Sequence, residues 1–397
     1  MDRDAGSGAS KGEGRRLVAA LIAAEVMIML GSGCFAAQAP TFIALWSLSA
    51  VDVGLIEGAF QIGNGLAAPL AMVLADRIDP RRIHRFGCLL TILGNAGFVL
   101  FASDATSAML WRAVTGVGLA ATYLPGVKLI GDRLTGAQQA RGVAFYTSVY
   151  SAGIGASMAM TGAAATADPL LPFWIAAAGG AVALVIGWRC FGSSPPRAAA
   201  RRFNPWPAIR NRPAVLGSVA YGWHCWELMA VRAWLVVFLV DVLSLSVVTA
   251  TALAAAALLV QMPASLIGNE VSLRIGRRRW LLIIMPASAV LALITGAGGV
   301  LPVTLSLALV VFYMGVMSAD SAALTAGVVA LAEPDTRGAT LALHAALGGI
   351  LAGLGPPAVG LALEVSDGAW LVAFAVAGAG ALFGAACVAA MGSQPTR

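Results

Sequence analysis

Residues 221–234 place three ionisable and four aromatic side chains within one apolar stretch of the chain. His224 and Glu227 are three residues apart and therefore share one face of a helix. A carboxyl group in an apolar setting can take up and release a proton, and so can an imidazole. We expect Glu227 to be the main proton carrier, with His224 tuning it or carrying the proton itself.

The same stretch carries two helical stripes that point in different directions. Trp223, Glu227 and Trp234 form one stripe, and Arg232 lies on a second one about 140° around the helix axis. Both stripes cannot point straight into a single cavity. We expect Trp223 and Trp226 to line a substrate site, since such sites are mostly apolar with a few polar groups. Arg232 either serves that site or forms a structural pair.

Further ionisable residues lie in other apolar stretches: Glu25, Glu57, Arg112, Asp320 and His344. Such residues are costly in an apolar setting and are functional candidates by default. Glu57 and Arg112 lie at similar depth, which predicts a buried pair. Glu25 and Asp320 are candidates for proton or substrate binding, with a helix-packing contact as the alternative, and His344 favours a structural or gating role.

The elements that position these residues are membrane-spanning helices. The chain is 59% hydrophobic and 11% charged, against about 25% charged in a typical soluble domain, which excludes a soluble globular protein. Backbone groups in lipid must bond within their own segment, so each span is expected to be helical. The apolar windows predict an all-α protein with twelve spans, at 17–40, 51–75, 86–103, 107–130, 142–163, 171–192, 214–240, 246–271, 280–300, 302–330, 339–363 and 369–391.

The charges predict the orientation of these spans. If the N-terminus is cytoplasmic, 23 of the 25 basic residues fall on the cytoplasmic side, and the other two, Arg112 and Arg232, lie within spans. Asp104 and Asp168 fall in outer loops. We therefore expect both termini in the cytoplasm, and we attribute the basic net charge to topology rather than to nucleic-acid binding.

The spans divide into two halves of six. A polar gap at 193–213 with five arginines predicts a cytoplasmic linker between bundles at 17–192 and 214–391, with tails at 1–16 (disordered) and 392–397. An internal repeat at an offset of 197 residues supports the division. Segment 47–82 aligns with 244–279, matching Ser-Leu-Ser at the start and arginines at the end. An even number of spans per half makes the halves parallel repeats.

At this point the sequence resembles the major facilitator superfamily, of bacterial type. The loop after span 2 reads Leu-Ala-Asp-Arg-Ile-Asp-Pro-Arg-Arg at 74–82, which is similar to the family's G-x-L-A-D-R-x-G-R-R signature. Span 4 carries Arg112-x-x-Thr115-Gly116-x-Gly118, similar to the family's R-x-x-q-G-x-g pattern, and this match implies a role for Arg112 in proton coupling. The resemblance implies two six-helix bundles around a central cavity lined by spans 1, 4, 7 and 10, with halves that rock to alternate access.

The resemblance also implies a gating motif on the cytoplasmic side. Asp76 would face the amino end of span 11, where the helix dipole favours an anion, and this contact would close the inner gate. Neighbouring carboxylates or lipid headgroups would be held by Arg77, Arg81 and Arg82. The second half keeps Arg274 but has Leu273 at the aspartate position, and Glu270, about one turn earlier, can take its place.

These observations predict a secondary active transporter for a small organic solute, with protons as the coupling ion and no cofactor. We expect a monomer in the plasma membrane, the inner membrane of a bacterium. No G-x-x-x-x-G-K-[ST] motif stands in the sequence, which argues against ATP drive within this chain. One alternative is copper transport through His224, Cys225, Met229 and methionines of spans 1 and 10. A membrane enzyme or sensor is disfavoured because no H-E-x-x-H motif and no soluble domain is present.

Overall fold

The computed structural model describes residues 11–192, 206–333 and 335–392. Within these ranges sixteen α-helices form twelve membrane spans, as the hydrophobic pattern predicts. In chain order the helices are α1 (Lys11–Met29), α2 (Cys34–Trp46), α3 (Ala50–Arg77), α4 (Pro80–Phe101), α5 (Ala105–Arg133), α6 (Gly136–Ala164), α7 (Leu171–Arg189), α8 (Trp206–Arg210), α9 (Arg212–Leu243), α10 (Val247–Leu259), α11 (Gln261–Ile275), α12 (Arg277–Gly296), α13 (Val303–Ser318), α14 (Ser321–Leu331), α15 (Arg337–Val365) and α16 (Trp370–Ala390).

Three of the spans are each built from two helices. Span 1 consists of α1 and α2, span 8 of α10 and α11, and span 10 of α13 and α14. Ten spans qualify as membrane-crossing by length and apolar composition alone. The other two are α6 and α9, whose 29 and 32 residues are long enough for about 30 Å of hydrocarbon. Helix α9 is span 7 and carries the ionisable residues of 221–234.

The surface of the bundle matches a lipid environment. Large apolar side chains are exposed along the outward faces of the spans, among them Leu70, Phe86, Leu93, Leu266 and Phe312. A contiguous apolar surface of this kind would be unstable in water, and in a bilayer it contacts hydrocarbon. The polar loops 77–82 and 274–279 lie together at one end of the spans, which we call the basic side; the other end is the opposite side.

The internal repeat has a structural counterpart on the opposite side. Ser47 ends α2 and Ser244 ends α9, both in the left-handed conformation, with φ of 50° and 51°. Two residues later, the Ser49 hydroxyl accepts from the N–H of Asp52, and the Ser246 hydroxyl accepts from the N–H of Thr249. The repeated Ser-Leu-Ser therefore ends one span and caps the next in both halves.

The described residues correct the predicted termini and linker. Helix α1 begins at Lys11, so the predicted tail 1–16 contains a helical segment, whose first turn carries Glu13 at the positive end of the helix dipole. Residues 1–10 lie outside the described part. Within the predicted linker 193–213, the short helix α8 and the start of α9 occupy 206–213, while 193–205 lie outside it. Of the predicted tail 392–397, only Gly392 is described. The boundaries of the two bundles stay a prediction.

The two halves meet where span 2 packs on span 11 and span 5 packs on span 8. Small residues allow the first contact to be close. A Cβ added to Gly65 would lie 2.5 Å from Cα of Gly349. Close contacts of this kind extend from Gly360 and Ala50 on the opposite side to Gly65, which lies about midway along span 2. We call this contact between the halves the seam.

Candidate functional site

Span 1 is broken at residues 30–33, and Arg112 of span 4 contacts the break. Its guanidinium donates to the carbonyl oxygens of Gly31 (2.8 Å) and Ser32 (3.1 Å). The last carbonyls of a helix lack partners within the helix, so buried donors must come from elsewhere. The Ser157 hydroxyl serves the break as well, since it accepts from the N–H of Gly33 (3.0 Å) and donates to the carbonyl of Leu30.

Arg112 also forms the buried ion pair that the sequence predicts. Its Nη2 lies 3.2 Å from Oε1 of Glu57 in span 2, with 1% of the Arg112 side chain and 8% of the Glu57 side chain exposed. The ring of Phe60 lies 4.5 Å from Cζ of the guanidinium, a cation–π distance. The break in span 1, span 2 and span 4 are therefore joined through one side chain.

A small cavity lies beside this pair, at the seam. Its volume is about 30 Å³, which is room for about two water molecules. We call it the seam cavity. Spans 1, 2, 5, 7 and 11 line it, through residues that include Gly33, Glu57, Phe60, Tyr150, Arg232 and Pro356. Span 7 lines it with the Arg232 stripe, because Met229 and Arg232 both face it. Spans 4 and 10, which the resemblance places at the central cavity, contribute none of the lining residues found here.

Arg232 meets the break in span 8. Its Nη2 donates to Oε1 of Gln261, the first residue of α11. The Arg232 side chain is 9% exposed, and its Nε and Nη1 have no hydrogen-bond partner in the described part of the chain. Arg232 thus lies at the seam with spare donors, whereas the guanidinium of Arg112 contacts three acceptors.

Glu227 points away from the seam cavity, into the second half. Its Oε1 accepts from the hydroxyls of Ser288 in span 9 (2.8 Å) and Tyr313 in span 10 (2.9 Å). Glu227 is 1% exposed, and the ion pairs found among the described residues do not include it. Glu227 is a buried carboxyl group with hydroxyl partners and no cation beside it.

Trp223 and Trp226, which the sequence predicts at a substrate site, do not line the seam cavity. The Trp223 ring packs against Phe383 of span 12 (4.8 Å between centroids). The indole N–H of Trp226 donates to the carbonyl of Val376 in the same span (3.1 Å). The rotation of span 7 that turns Arg232 to the seam turns these two rings toward span 12, where they hold the two helices together.

His224 pairs with Asp320, which lies at the break in span 10. Nδ1 of His224 and Oδ1 of Asp320 are 2.8 Å apart, and both side chains are buried. Asp320 directly precedes α14. The ring of Tyr221 lies 5.9 Å from His224 and 4.0 Å from His344 of span 11. The pair joins spans 7 and 10, and the sequence gives no sign that these two candidates contact each other.

Glu25 lies in the first half and is fully buried. The hydroxyl of Tyr146 in span 5 donates to its Oε2 (3.0 Å), and Oε1 has no hydrogen-bond partner among the described residues. Tyr123 packs between Tyr146 and Tyr150, at 5.4 Å and 5.8 Å between ring centroids. Since Tyr150 lines the seam cavity, the tyrosine rings form a continuous path from the cavity to Glu25.

The gating residues lie on the basic side, with partners that differ from those implied by the resemblance. Asp76 pairs with Lys128 of span 4 (3.1 Å), within the first half, and not with the amino end of span 11. Span 2 and span 11 make their close contacts from mid-membrane to the opposite side. On the basic side, Asp76 therefore contacts Lys128 of its own half and not the amino end of span 11.

The arginines of these loops take local roles. Arg81 pairs with Asp79 (2.6 Å) and donates to the carbonyl of Gly192. Arg77 and Arg82 are exposed. In the second half Arg274 pairs with Glu270 one turn away (3.1 Å), and both side chains are exposed. Glu270 is therefore paired within its own helix, whereas Asp76 is paired with a residue of another span.

Sequence reasoning missed the neutral polar residues of the site. Gln61 and Tyr150 line the seam cavity, and Gln261 binds Arg232. A search restricted to charged residues could not find them. A glutamine in an apolar span is itself unusual enough to have been a signal, because a buried amide needs partners for its donors and acceptor.

Comparisons with known proteins agree with this architecture. A sequence model of the Major Facilitator Superfamily matches residues 21–294, more than half of the chain. The quinolone resistance protein NorA of Staphylococcus aureus is 26% identical over 161 residues, which cover 40% of this chain and 41% of that protein. The chain thus matches less than half the length of this relative.

Solved structures agree over nearly the whole chain. A bacterial homologue of the human lysosomal transporter Spinster, in an inward-facing and occupied conformation, superposes with a TM-score of 0.80 at 18% identity, covering 98% of this chain and all of that one (100%). A mutant of the nucleoside transporter NupG gives a TM-score of 0.75 at 14% identity, covering 95% and 100%. With its twelve spans, its paired halves and its matching sequence, this chain belongs to the major facilitator superfamily of transporters.

Proposed function

We propose that this protein is a secondary active transporter that moves a small organic solute by alternating access, with protons as the coupling ion. The observation that carries this proposal is the seam cavity, because spans 1, 2 and 5 of the first half and spans 7 and 11 of the second half all line it. A site shared by two halves opens to either side as they rock against each other.

The contacts between the halves support such a motion. Spans 2 and 11 are in close contact from the opposite side to mid-membrane, through pairs such as Gly58 with Gly353 and Gly65 with Gly349. Toward the basic side, Asp76 pairs with a residue of its own half. Separation of the halves on the basic side would therefore break few contacts, and a return of Asp76 to span 11 would accompany closure there.

Two buried carboxyl groups are the best candidates for the coupling proton. Glu57 pairs with Arg112 and Asp320 with His224, whereas Glu25 and Glu227 have only hydroxyl partners among the described residues. Burying a carboxylate without a cation is costly, so a group in such a site favours carrying a proton. We propose Glu227 as the main proton carrier and Glu25 as the second.

The copper alternative receives less support. The described residues contain no group of three or more His, Cys, Asp or Glu side chains that could hold a metal ion. Of the predicted sulfur ligands, Met229 lines the seam cavity, whereas Met314 lies against Gln261, 3.9 Å from Sδ to Nε2.

The distribution of charge supports the rest of the proposal. We place the basic side in the cytoplasm, together with both termini, because 23 of the 25 basic residues then lie inside. This corresponds to the inner membrane of a bacterium, and the family's usual state implies a monomer.

Proton coupling can be tested in proteoliposomes that contain trapped pyranine, a fluorescent pH indicator. Three probes are added in turn, each unable to cross the lipid quickly: naphthalene-2-sulfonate, uridine and tetraethylammonium. A transported probe should change the internal pH in proteoliposomes and not in protein-free vesicles. Glu227→Gln should abolish this change, since an amide cannot exchange a proton.

The control is Asp168→Asn, which alters an exposed acid in a loop and should leave the proton signal intact. A probe that accumulates without any pH change would refute proton coupling. An unchanged signal in Glu227→Gln would remove Glu227 from the mechanism and leave Glu25→Gln as the next variant to measure.

A further inference from the structure

The seam cavity contains a positive charge that no carboxylate of the described residues balances. Arg232 lines the cavity and is 9% exposed, yet its hydrogen-bond partner is the neutral amide of Gln261. The ionisable side chains near it are Tyr150, Tyr221 and Cys225, which are not carboxylates and are mainly uncharged at neutral pH. A buried guanidinium is expensive without a counter-charge, so it marks a site where an anion binds favourably.

One acid, Glu57, lines the cavity, and it already has a partner. Its Oε1 lies 3.2 Å from Nη2 of Arg112. Arg112 is in turn fixed by the carbonyl oxygens of Gly31 and Ser32, so it does not turn toward another partner without exposing the break in span 1. Glu57 and Arg112 neutralise each other, and Arg232 leaves the cavity with one net positive charge.

The rest of the lining is largely apolar or aromatic. Phe60, Ile154, Met158 and Met229 face the same space as Arg232. Such a surface binds a hydrocarbon or aromatic body, while a single guanidinium binds a single carboxylate or a similar anion. A cation would be repelled by Arg232, and a dianion would leave one of its charges without a partner.

We propose that the solute is an amphiphilic organic monoanion, a carboxylate or sulfonate with an apolar body, whose anionic group binds the free N–H groups of Arg232. This inference rests on the proposed transport function and names its substrate class. In the present state the cavity holds about 30 Å³, less than such a molecule needs, so binding requires the halves to separate. The anion would then replace water at Arg232, and the apolar body would lie against Phe60 and the two methionines.

Matched probes of nearly equal shape test the charge requirement. Purified protein in lipid nanodiscs is titrated calorimetrically at pH 7 with 3-phenylpropionate, 3-phenylpropanamide and 3-phenylpropylammonium. The carboxylate should bind at least ten times more tightly than the amide, and the ammonium should not bind. Equal or tighter binding of the amide or the ammonium overturns the proposal, and so does the absence of carboxylate binding at 10 mM.

Variants of the cavity locate the anion. Arg232→Gln should weaken carboxylate binding about ten- to hundredfold, the range for losing a hydrogen bond between charged groups, and should leave amide binding unchanged. Arg232→Lys keeps the charge and should retain part of the preference, which covers the case in which the glutamine variant does not fold. The control Met229→Leu alters the same lining without charge and should preserve the preference. Wild-type carboxylate binding in Arg232→Gln overturns the assignment.

The pyranine measurement separates this inference from the transport function. If uridine or tetraethylammonium moves with protons while no carboxylate binds, the substrate class is wrong and proton-coupled transport stands. If 3-phenylpropionate binds through Arg232 and naphthalene-2-sulfonate accumulates without any change in internal pH, the substrate class stands and proton coupling is wrong.

Discussion

Replacing Arg112 tests whether one side chain holds the broken span 1 in place. Arg112→Met removes a guanidinium that contacts two carbonyl oxygens, at 2.8 Å and 3.1 Å, and one carboxylate, at 3.2 Å. The variant leaves the carboxylate of Glu57 buried without a counter-charge. Removing one partner of a buried ion pair costs about 3–5 kcal/mol, so we expect a loss of that size in the free energy of unfolding.

A double-mutant cycle separates the ion pair from the contacts with the backbone. Glu57→Gln keeps an acceptor oxygen for Arg112 and leaves no buried carboxylate. In Arg112→Met combined with Glu57→Gln, only the carbonyls of Gly31 and Ser32 lose their donor. Residues in direct contact couple by about 0.5–3 kcal/mol, and we expect a value of about 2–3 kcal/mol because both side chains are buried.

Unfolding by sodium dodecyl sulfate, followed by tryptophan fluorescence in detergent micelles, measures these differences. Thr115→Val is the control in span 4, since the Thr115 hydroxyl donates only to the carbonyl of Trp111 in its own helix (3.0 Å). It should cost less than about 1 kcal/mol and should add to Glu57→Gln without coupling. Purely additive losses for Arg112 and Glu57 would refute the view that the pair acts as a unit.

Two further pairs of substitutions probe the repeat and the seam. Ser47 has a left-handed backbone, φ 50°, so Ser47→Gly should raise the free energy of unfolding by about 0.5–1 kcal/mol, after the entropy of glycine is subtracted, and with it the melting temperature. Ser49→Gly loses a helix cap and should lower the melting temperature. A change of the same sign in both variants would contradict this account. Gly349→Val places methyl groups against Gly65 and should cost about 1–3 kcal/mol and reduce probe-driven proton flux at least tenfold. Gly338→Ala, where an added Cβ meets no atom within 4 Å, should do neither.

The positions of the spans could be predicted because they depend on local composition. Apolar windows of sufficient length have one stable solution in lipid, and the structure has a helical span at each of them. The pairing of Glu57 with Arg112 was predictable for a related reason, since two opposite charges at the same depth in the membrane stabilise each other by pairing. The serines of the repeat have the same backbone conformation in both halves because the same turn joins the same two spans.

The breaks in spans 1, 8 and 10 could not be predicted in this way. The apolar windows run through residues 30–33 and through Val260, although Gly31-Ser32-Gly33 and Pro263 weaken the helix at these two points. What stabilises the breaks is tertiary: Arg112 and Ser157 bind the free backbone groups of span 1, and Gln261 at the span 8 break binds Arg232. Local sequence therefore weakens the helix at two of the breaks, but it does not show which distant side chain binds the exposed backbone groups.

The orientation of span 7 about its own axis could not be predicted from the sequence either. Its sequence defines two stripes, but which stripe faces the seam depends on how the neighbouring helices pack. Trp226 bonds to span 12 and Glu227 to spans 9 and 10, and these contacts turn Arg232 toward the seam. The partner of Asp76 has a similar explanation, because it depends on how far apart the halves lie on the basic side.

The two arginines within the membrane occupy similar positions but differ in how their charges are balanced. Each contacts a broken span, Arg112 at the carbonyls of span 1 and Arg232 at the amide of Gln261, the first residue after the break in span 8. Arg112 binds two carbonyls and a carboxylate, so its charge is balanced within the protein. Arg232 meets one neutral acceptor and keeps donors free beside the seam cavity. The two halves therefore differ in this feature: the charge of Arg112 is balanced within the protein, whereas Arg232 keeps donors for the anion that we propose as the solute.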